Sequence, residues 1–207
     1  MKLISKLSVV YCIFSAFILN AQTEIKLNAP SAPVGILHIA VEKPLRKNYT
    51  LQAEAFVSPW KSFAGKNLQI YMGTLEGRYY FNEKMKKWYV GAYISAAAFN
   101  LQKWDYWKAK VVRDENGNPE ILPNGSPRIT ERYQKGLAFV GGISGGYHFV
   151  INERWGLDAF AGIGFTQSLY KGYLKDNDQR YDGARKWNKS GEIIPTRAGL
   201  MLTYKIN

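Results

Sequence analysis

A chain of 207 residues accommodates one domain and one closed sheet, and nothing in its length calls for a second. The formal net charge of +12 would suit nucleic acid, but the lysines and arginines scatter through turns and loops, which points to anionic lipid phosphates instead and excludes a nucleic-acid partner. The one cysteine, Cys12, lies in an apolar N-terminal run, so a processed chain has neither a disulfide nor a thiolate metal site, and no cofactor is implied.

In chain order, Lys2 and Lys6 open a positive segment, and residues 7–19 form an apolar run too short to span a bilayer comfortably. Residues 1–21 therefore read as a cleaved export signal, with cleavage expected after Ala21 and residues 22–207 as the exported domain. The apolar run continues past Cys12, which argues against a lipid-anchored cysteine.

Period-2 alternation then recurs at 23–28, 34–42, 49–58, 68–81, 88–101, 134–149, 155–169 and 194–206, with no amphipathic helix pattern between. This predicts an all-β fold: a closed, antiparallel, up-and-down transmembrane β-barrel of about eight strands. The connectors 43–48, 82–87 and 150–154 are short, whereas 59–67, 102–133 and 170–193 are longer. That asymmetry predicts short turns on a periplasmic rim, longer extracellular loops, periplasmic termini and a multi-pass location in the cell outer membrane. Within 102–133, Val111 and Val112 precede Asp114-Glu115-Asn116-Gly117, and Asn124-Gly125 reads as a type I′-like turn. The strands on either side are thus expected to continue as a hairpin beyond the bilayer.

Lysine identifies the face that meets lipid. None occurs within 68–81, 88–101, 136–149 or 155–170, although the connectors are rich in it, and a barrel in water would display lysine on its outer faces. In the seventh strand Trp155, Leu157, Ala159, Ala161, Ile163 and Phe165 share one face. In the last, Ile194, Thr196, Ala198, Leu200, Leu202, Tyr204 and Ile206 oppose a face carrying Arg197 and Lys205. Tyr49, Tyr79, Phe81, Trp88, Tyr147, Phe149, Trp155 and Tyr204 fall where strands meet short turns, as an interfacial girdle would.

The opposite faces gather His38, Glu42, Gln52, Glu54, Glu76, Arg78, Asp158 and Arg197 beside small Gly91, Ser95, Gly142, Ser144 and Gly162. An interior of about eight strands is just wide enough for side chains to fill. A packed polar core is expected, with Glu54, Glu76 and Asp158 partnered by Arg78 and Arg197, because an unpaired buried carboxylate is costly. His38 and His148 also point inward, and neither belongs to a recognisable hydrolase motif, so no catalytic residue is assigned. The acidic stretches 114–120 and 176–183 depart from a calcium loop at Pro119 and Arg180 and read as turn chemistry, so no metal site is assigned.

Four segments carry a family resemblance: Leu27-Asn28 followed by Pro33-Val34-Gly35; Tyr79-Tyr80-Phe81; Gly142-Ile143-Ser144-Gly145-Gly146-Tyr147 before Asn152-Glu153-Arg154-Trp155-Gly156-Leu157; and Pro195-Thr196-Arg197-Ala198-Gly199-Leu200. Together they resemble a family of small bacterial outer-membrane β-barrels known as a domain of unknown function. The resemblance spans nearly the whole exported chain and implies fold and location, not an activity; the terminal Asn207 departs from the aromatic residue that ends many barrels. The expected function is non-enzymatic, with outer loops that bind a surface polymer or dock into a larger outer-membrane protein complex, and with outer-membrane lipid as the constant partner. Trp104, Tyr106, Trp107, Tyr173, Tyr181 and Trp187 are the expected loop contacts, large apolar side chains beside Lys108, Lys110, Arg180, Arg185 and Lys186. A lipid-modifying outer-membrane enzyme and a soluble periplasmic lipocalin-like carrier are the competing readings.

Overall fold

The structure is a computed structural model that describes residues 23–114, 116–181 and 186–206, the side chain of Trp104 excepted. The expected export signal with Cys12, residues Asp182, Gly183 and Arg185, and Asn207 lie outside them.

The alternating segments form strands β1 (Glu24–Asn28), β2 (Leu37–Pro44), β3 (Tyr49–Phe63), β4 (Lys66–Tyr80), β5 (Lys87–Leu101), β6 (Lys110–Val111), β7 (Ile129–Thr130), β8 (Arg132–Val150), β9 (Trp155–Leu174) and β10 (Asn188–Lys205). Short 3-10 turns at Ala32–Val34 and Trp104–Tyr106 interrupt the connectors. Eight strands close antiparallel and up-and-down in the order β1-β10-β9-β8-β5-β4-β3-β2, while β6 and β7 pair separately. Closure runs through β1, where Ile25 faces Tyr204 of β10 and Val41 of β2. Turns 45–48, 81–86 and 151–154 mark the lower end, and the remaining connectors mark the upper end.

Four local expectations are corrected. The longer loop at 59–67 is a two-residue hairpin, because Ala64 (φ 47°) and Gly65 (φ 76°) both adopt the left-handed backbone that a tight turn between twisted strands requires. The added length of β3 is latched by the Trp60 indole, which donates to the Val34 carbonyl at 2.8 Å. The connector 170–193 shrinks to 175–187, since β9 and β10 keep pairing up to Tyr170 and Asn188. Neither flanking strand continues as a hairpin through 102–131; β6 and β7 form their own small sheet. Its Leu122–Gly125 turn closes through the Gly125 amide to the Leu122 carbonyl, with only Gly125 of the Asn124-Gly125 pair at positive φ.

The fourth correction lies in β10. Proline has no amide hydrogen for the ladder, and the register slips between Pro195 and Arg197. Above the slip, Ile193 faces outward at 73% exposure. At the slip Thr196, expected outside, turns inward to the Tyr93 hydroxyl.

Polarity is inverted relative to a protein with an oily core. The fully buried side chains include Lys26, Glu42, Gln52, Glu76, Arg78 and Asp158, whereas Leu75, Val90, Ile94, Phe139, Ile143 and Phe165 lie exposed on the outer wall. At the lower end the outward aromatics form a belt, with ring centroids 5.1 Å apart for Tyr49 and Tyr79, 5.0 Å for Trp88 and Tyr147, and 4.8 Å for Trp155 and Tyr204.

Closure demands small residues where strands and interior rings approach. A Cβ on Gly142 would strike the Ile163 carbonyl and the Tyr93 hydroxyl, whereas one on the adjacent, outward Gly141 would meet nothing within 4 Å. Gly142→Val is expected to destabilise the fold by roughly 1–3 kcal/mol. Gly141→Ala should stay within about 0.5 kcal/mol of the parent, compared by urea midpoints of the two variants.

Candidate functional site

The interior is organised around Arg78. Its Nη1 donates to Asp158 Oδ2 at 2.7 Å and to Glu42 Oε2 at 3.2 Å, its Nε donates to Glu76 Oε2 at 2.9 Å, and the guanidinium lies 4.3 Å from the Tyr89 ring centroid. The Lys26 ammonium donates to Asp158 Oδ2 at 2.7 Å and pairs with Glu42. Tyr80 donates to Glu42 Oε1 at 2.9 Å and Tyr89 to Asp158 Oδ1 at 2.8 Å, while Thr50 also donates to Glu42. Each carboxylate has therefore exchanged water for charged and hydroxyl donors, the condition under which a buried charge persists.

A second group lies above it. Arg197 pairs with Glu54 and, through Nη1, with Glu76 at 3.3 Å, so Glu76 links the two groups. The Ser144 hydroxyl also donates to Glu76. His38 is held between Asn28, whose amide is 3.0 Å from Nδ1, and Glu54, 3.2 Å from Nε2. Phe56 and Phe160 pack edge-on against its ring. Both ring nitrogens are therefore engaged by side chains. His148 lies near the lower mouth, 3.8 Å from Glu24.

The five residues expected to pair in the lumen, Glu54, Glu76, Arg78, Asp158 and Arg197, meet in this one network, and so does inward-facing Glu42. Lys26, Tyr80 and Tyr89 were not among the expected members. The signal for Lys26 was present in Glu24, Lys26 and Asn28, which alternate with Ile25 and Leu27. For the tyrosines it was the parity that sets Tyr80 and Tyr89 opposite the girdle residues Tyr79 and Trp88.

The expected loop contacts do not converge. Tyr106 and Tyr181 are internal to the upper cap: the Tyr106 hydroxyl takes a bond from Gln134 at 3.2 Å and one from Tyr181 at 3.4 Å, and Arg132 lies 4.7 Å from the Tyr181 ring centroid. Trp107 is half exposed, with its indole donating to the Gln102 carbonyl at 2.9 Å. Tyr173 and Trp187 instead lie on the outer wall, Tyr173 within β9 and Trp187 beside the start of β10. The Trp104 side chain lies outside the described residues. As for the acidic turns, Asp114 Oδ1 accepts from the Asn116 and Asn118 amides at 3.0 and 2.8 Å, and Asp176 pairs with Arg128 at 2.8 Å.

Glu131 staples the cap. Its carboxylate accepts from Lys66 at the start of β4, from Gln102 at 2.7 Å and from Lys175 at 3.1 Å, and Lys175 also donates to the Gly65 carbonyl. Desolvation pushes the Glu131 carboxyl up, but these three donors outweigh it and hold it at about 2, against an ordinary value of 4.5. A lowered folded-state value contributes stability that is complete above 4.5 and is lost as pH falls through about 2. Amide-exchange protection across 102–131 should be constant from neutrality to about 4.5 and then fall; Glu131→Gln should begin lower and lack this step.

Within the lumen, Lys26→Met leaves Asp158 and Glu42 short of a cation and should cost about 3–5 kcal/mol in urea unfolding followed by tryptophan fluorescence. Adding Asp158→Asn should recover part of that loss, because the two residues form one interacting unit.

No match to this chain is found among curated proteins or among solved structures. A family model described as Protein of unknown function (DUF3575) matches residues 6–206, covering every strand of the barrel and the whole interior network. The chain belongs to that family.

Proposed function

We propose that this protein is a non-enzymatic integral outer-membrane β-barrel, delivered by its N-terminal export signal, with its lower end in the periplasm and its upper loops outside the cell. On this reading the cap built from residues 102–131 and 175–187 is the surface that binds a polymer or docks into a larger outer-membrane complex. The observation that carries the proposal is the inversion of polarity: charges fill the interior while isoleucine, leucine, valine and phenylalanine cover the outer wall. Apolar side chains gain nothing from facing water in such numbers, whereas hydrocarbon accepts them. Two further features support it: the closed hydrogen-bond ring leaves no backbone edge for lipid to desolvate, and the lower aromatic belt suits the headgroup zone.

The non-enzymatic part is supported by the engagement of His38. His38 spends both ring nitrogens on Asn28 and Glu54, which leaves neither free to take a proton from a nucleophile. A lipocalin-like carrier would need an apolar lumen for its cargo, and ion pairs occupy this one.

Thiol labelling tests the orientation. Ile121→Cys, in the exposed cap, and Lys84→Cys, in a lower turn, introduce single sites. A membrane-impermeant maleimide on intact cells should modify the first and spare the second until the outer membrane is permeabilised. Recovery of the unlabelled protein in the soluble fraction without detergent would refute the reading.

A further inference from the structure

The upper outer wall carries an arrangement that the strands do not need for their own pairing. Lys135 on β8 and Lys171 on β9 are directly opposed. Directly opposed side chains on one face lie about 5 Å apart, and like charges there weaken a sheet. Among the described residues no carboxylate pairs with either lysine. Aromatic rings hold them instead: the Lys135 ammonium is 5.0 Å from the Tyr133 centroid and 5.3 Å from that of Tyr173, rings that stack at 5.4 Å, and Lys171 is 4.9 Å from Trp187. Lys61 and Lys175 line the same recess of about 880 Å³, where Asp178, the one carboxylate lining it among the described residues, already accepts from the Tyr133 hydroxyl at 2.6 Å.

Further down the same strands the chemistry changes. Leu137 faces Leu169, and below them a trough of about 740 Å³ crosses β4, β5, β8 and β9. Leu75, Ile94, Phe139 and Phe165 wall it, with Gly73 and Gly141 between them. A Cβ at either glycine would meet nothing within 4 Å, so the packing of the barrel does not require glycine there. What the glycines leave is a shallow apolar channel running away from a basic, aromatic-lined recess, the outline of an amphiphile with an anionic head.

We propose that this wall holds one phosphorylated, acylated glycolipid of the outer leaflet, of the lipid A class, with its phosphate between Lys135 and Lys171 and an acyl chain along the trough. The proposal rests on the outer-membrane reading and adds a specific lipid site to it. A phosphate bridging the two ammonium groups would turn their mutual repulsion into paired charge-assisted hydrogen bonds. The trough supplies apolar contact that a free phosphate ion cannot use.

Native mass spectrometry of the full exported protein in detergent, with lipid A and its dephosphorylated form as probes, tests this. Heat-modifiable gel mobility reports separately whether each sample is a folded barrel. The parent should retain lipid A at least about tenfold better than the dephosphorylated form, the loss expected for one charge-assisted contact. Lys135→Gln with Lys171→Gln should abolish that preference, and Gly141→Leu should weaken both forms alike by filling the trough. Equal retention of the two forms by a folded parent, or an unchanged preference in the folded lysine variant, would overturn the lipid site and leave the barrel reading standing. Displacement by equimolar inorganic phosphate would overturn it in favour of a simple anion site. A parent that stays folded and soluble without detergent would overturn both.

Discussion

Each of the eight barrel strands contributes a side chain to the interior network: Lys26, Glu42, Thr50, Arg78, Tyr89, Ser144, Asp158 and Arg197 come from β1, β2, β3, β4, β5, β8, β9 and β10 in turn. The geometry makes ring closure and charge compensation one event. Before β1 meets β10, Asp158 lacks the Lys26 ammonium and Glu54 lacks Arg197, and a carboxylate withdrawn from water without a cation is strongly disfavoured. In most folds the interior is oily and polar groups are tolerated; here the interior is specified by who pairs with whom.

That requirement shapes the remainder of the architecture. Interior volume must be filled by charged and hydroxyl-bearing side chains, so the strands alternate them with glycine where rings press close, as at Gly142 beside Tyr93 and Gly146 beside Tyr89. The slip at Pro195 serves the same end, since it turns Thr196 inward to Tyr93 just where Arg197 begins to reach Glu54 and Glu76. The outer wall is released from any duty toward the core, which leaves it open to be written for its surroundings: an aromatic belt below, an apolar band in the middle, and lysines among aromatics above.

The upper cap is built on different physics. Glu131 is partly buried, Arg128 is buried and Asp176 is exposed, and their pairing ties loops to one another instead of sealing a core. Such contacts tie together the described residues of the segments 102–131 and 175–187 while leaving Trp107 and Ile121 at the surface. This explains why the five described side chains among the expected loop contacts do not meet in one patch, with Trp107 left at the surface. Tyr106 and Tyr181 brace the cap from inside, and Tyr173 and Trp187 belong to the wall.

Much of the strand layout and the five principal lumen charges could be read directly, because the face on which a strand residue falls is a local property of extended backbone with a side-chain period of two. Lys26 escaped because β1 is only five residues long and offers little alternation to recognise. The hairpin at Ala64-Gly65 escaped because a glycine signals a turn without stating its length. By itself, then, the sequence determined which residues point inward and which outward, except at the β10 slip, where Thr196 turns inward. Only the tertiary structure decided which inward residues touch, that Lys135 stands opposite Lys171, and where β10 slips, because register is set by pairing between segments far apart in the chain, and a shift of one residue exchanges every partner.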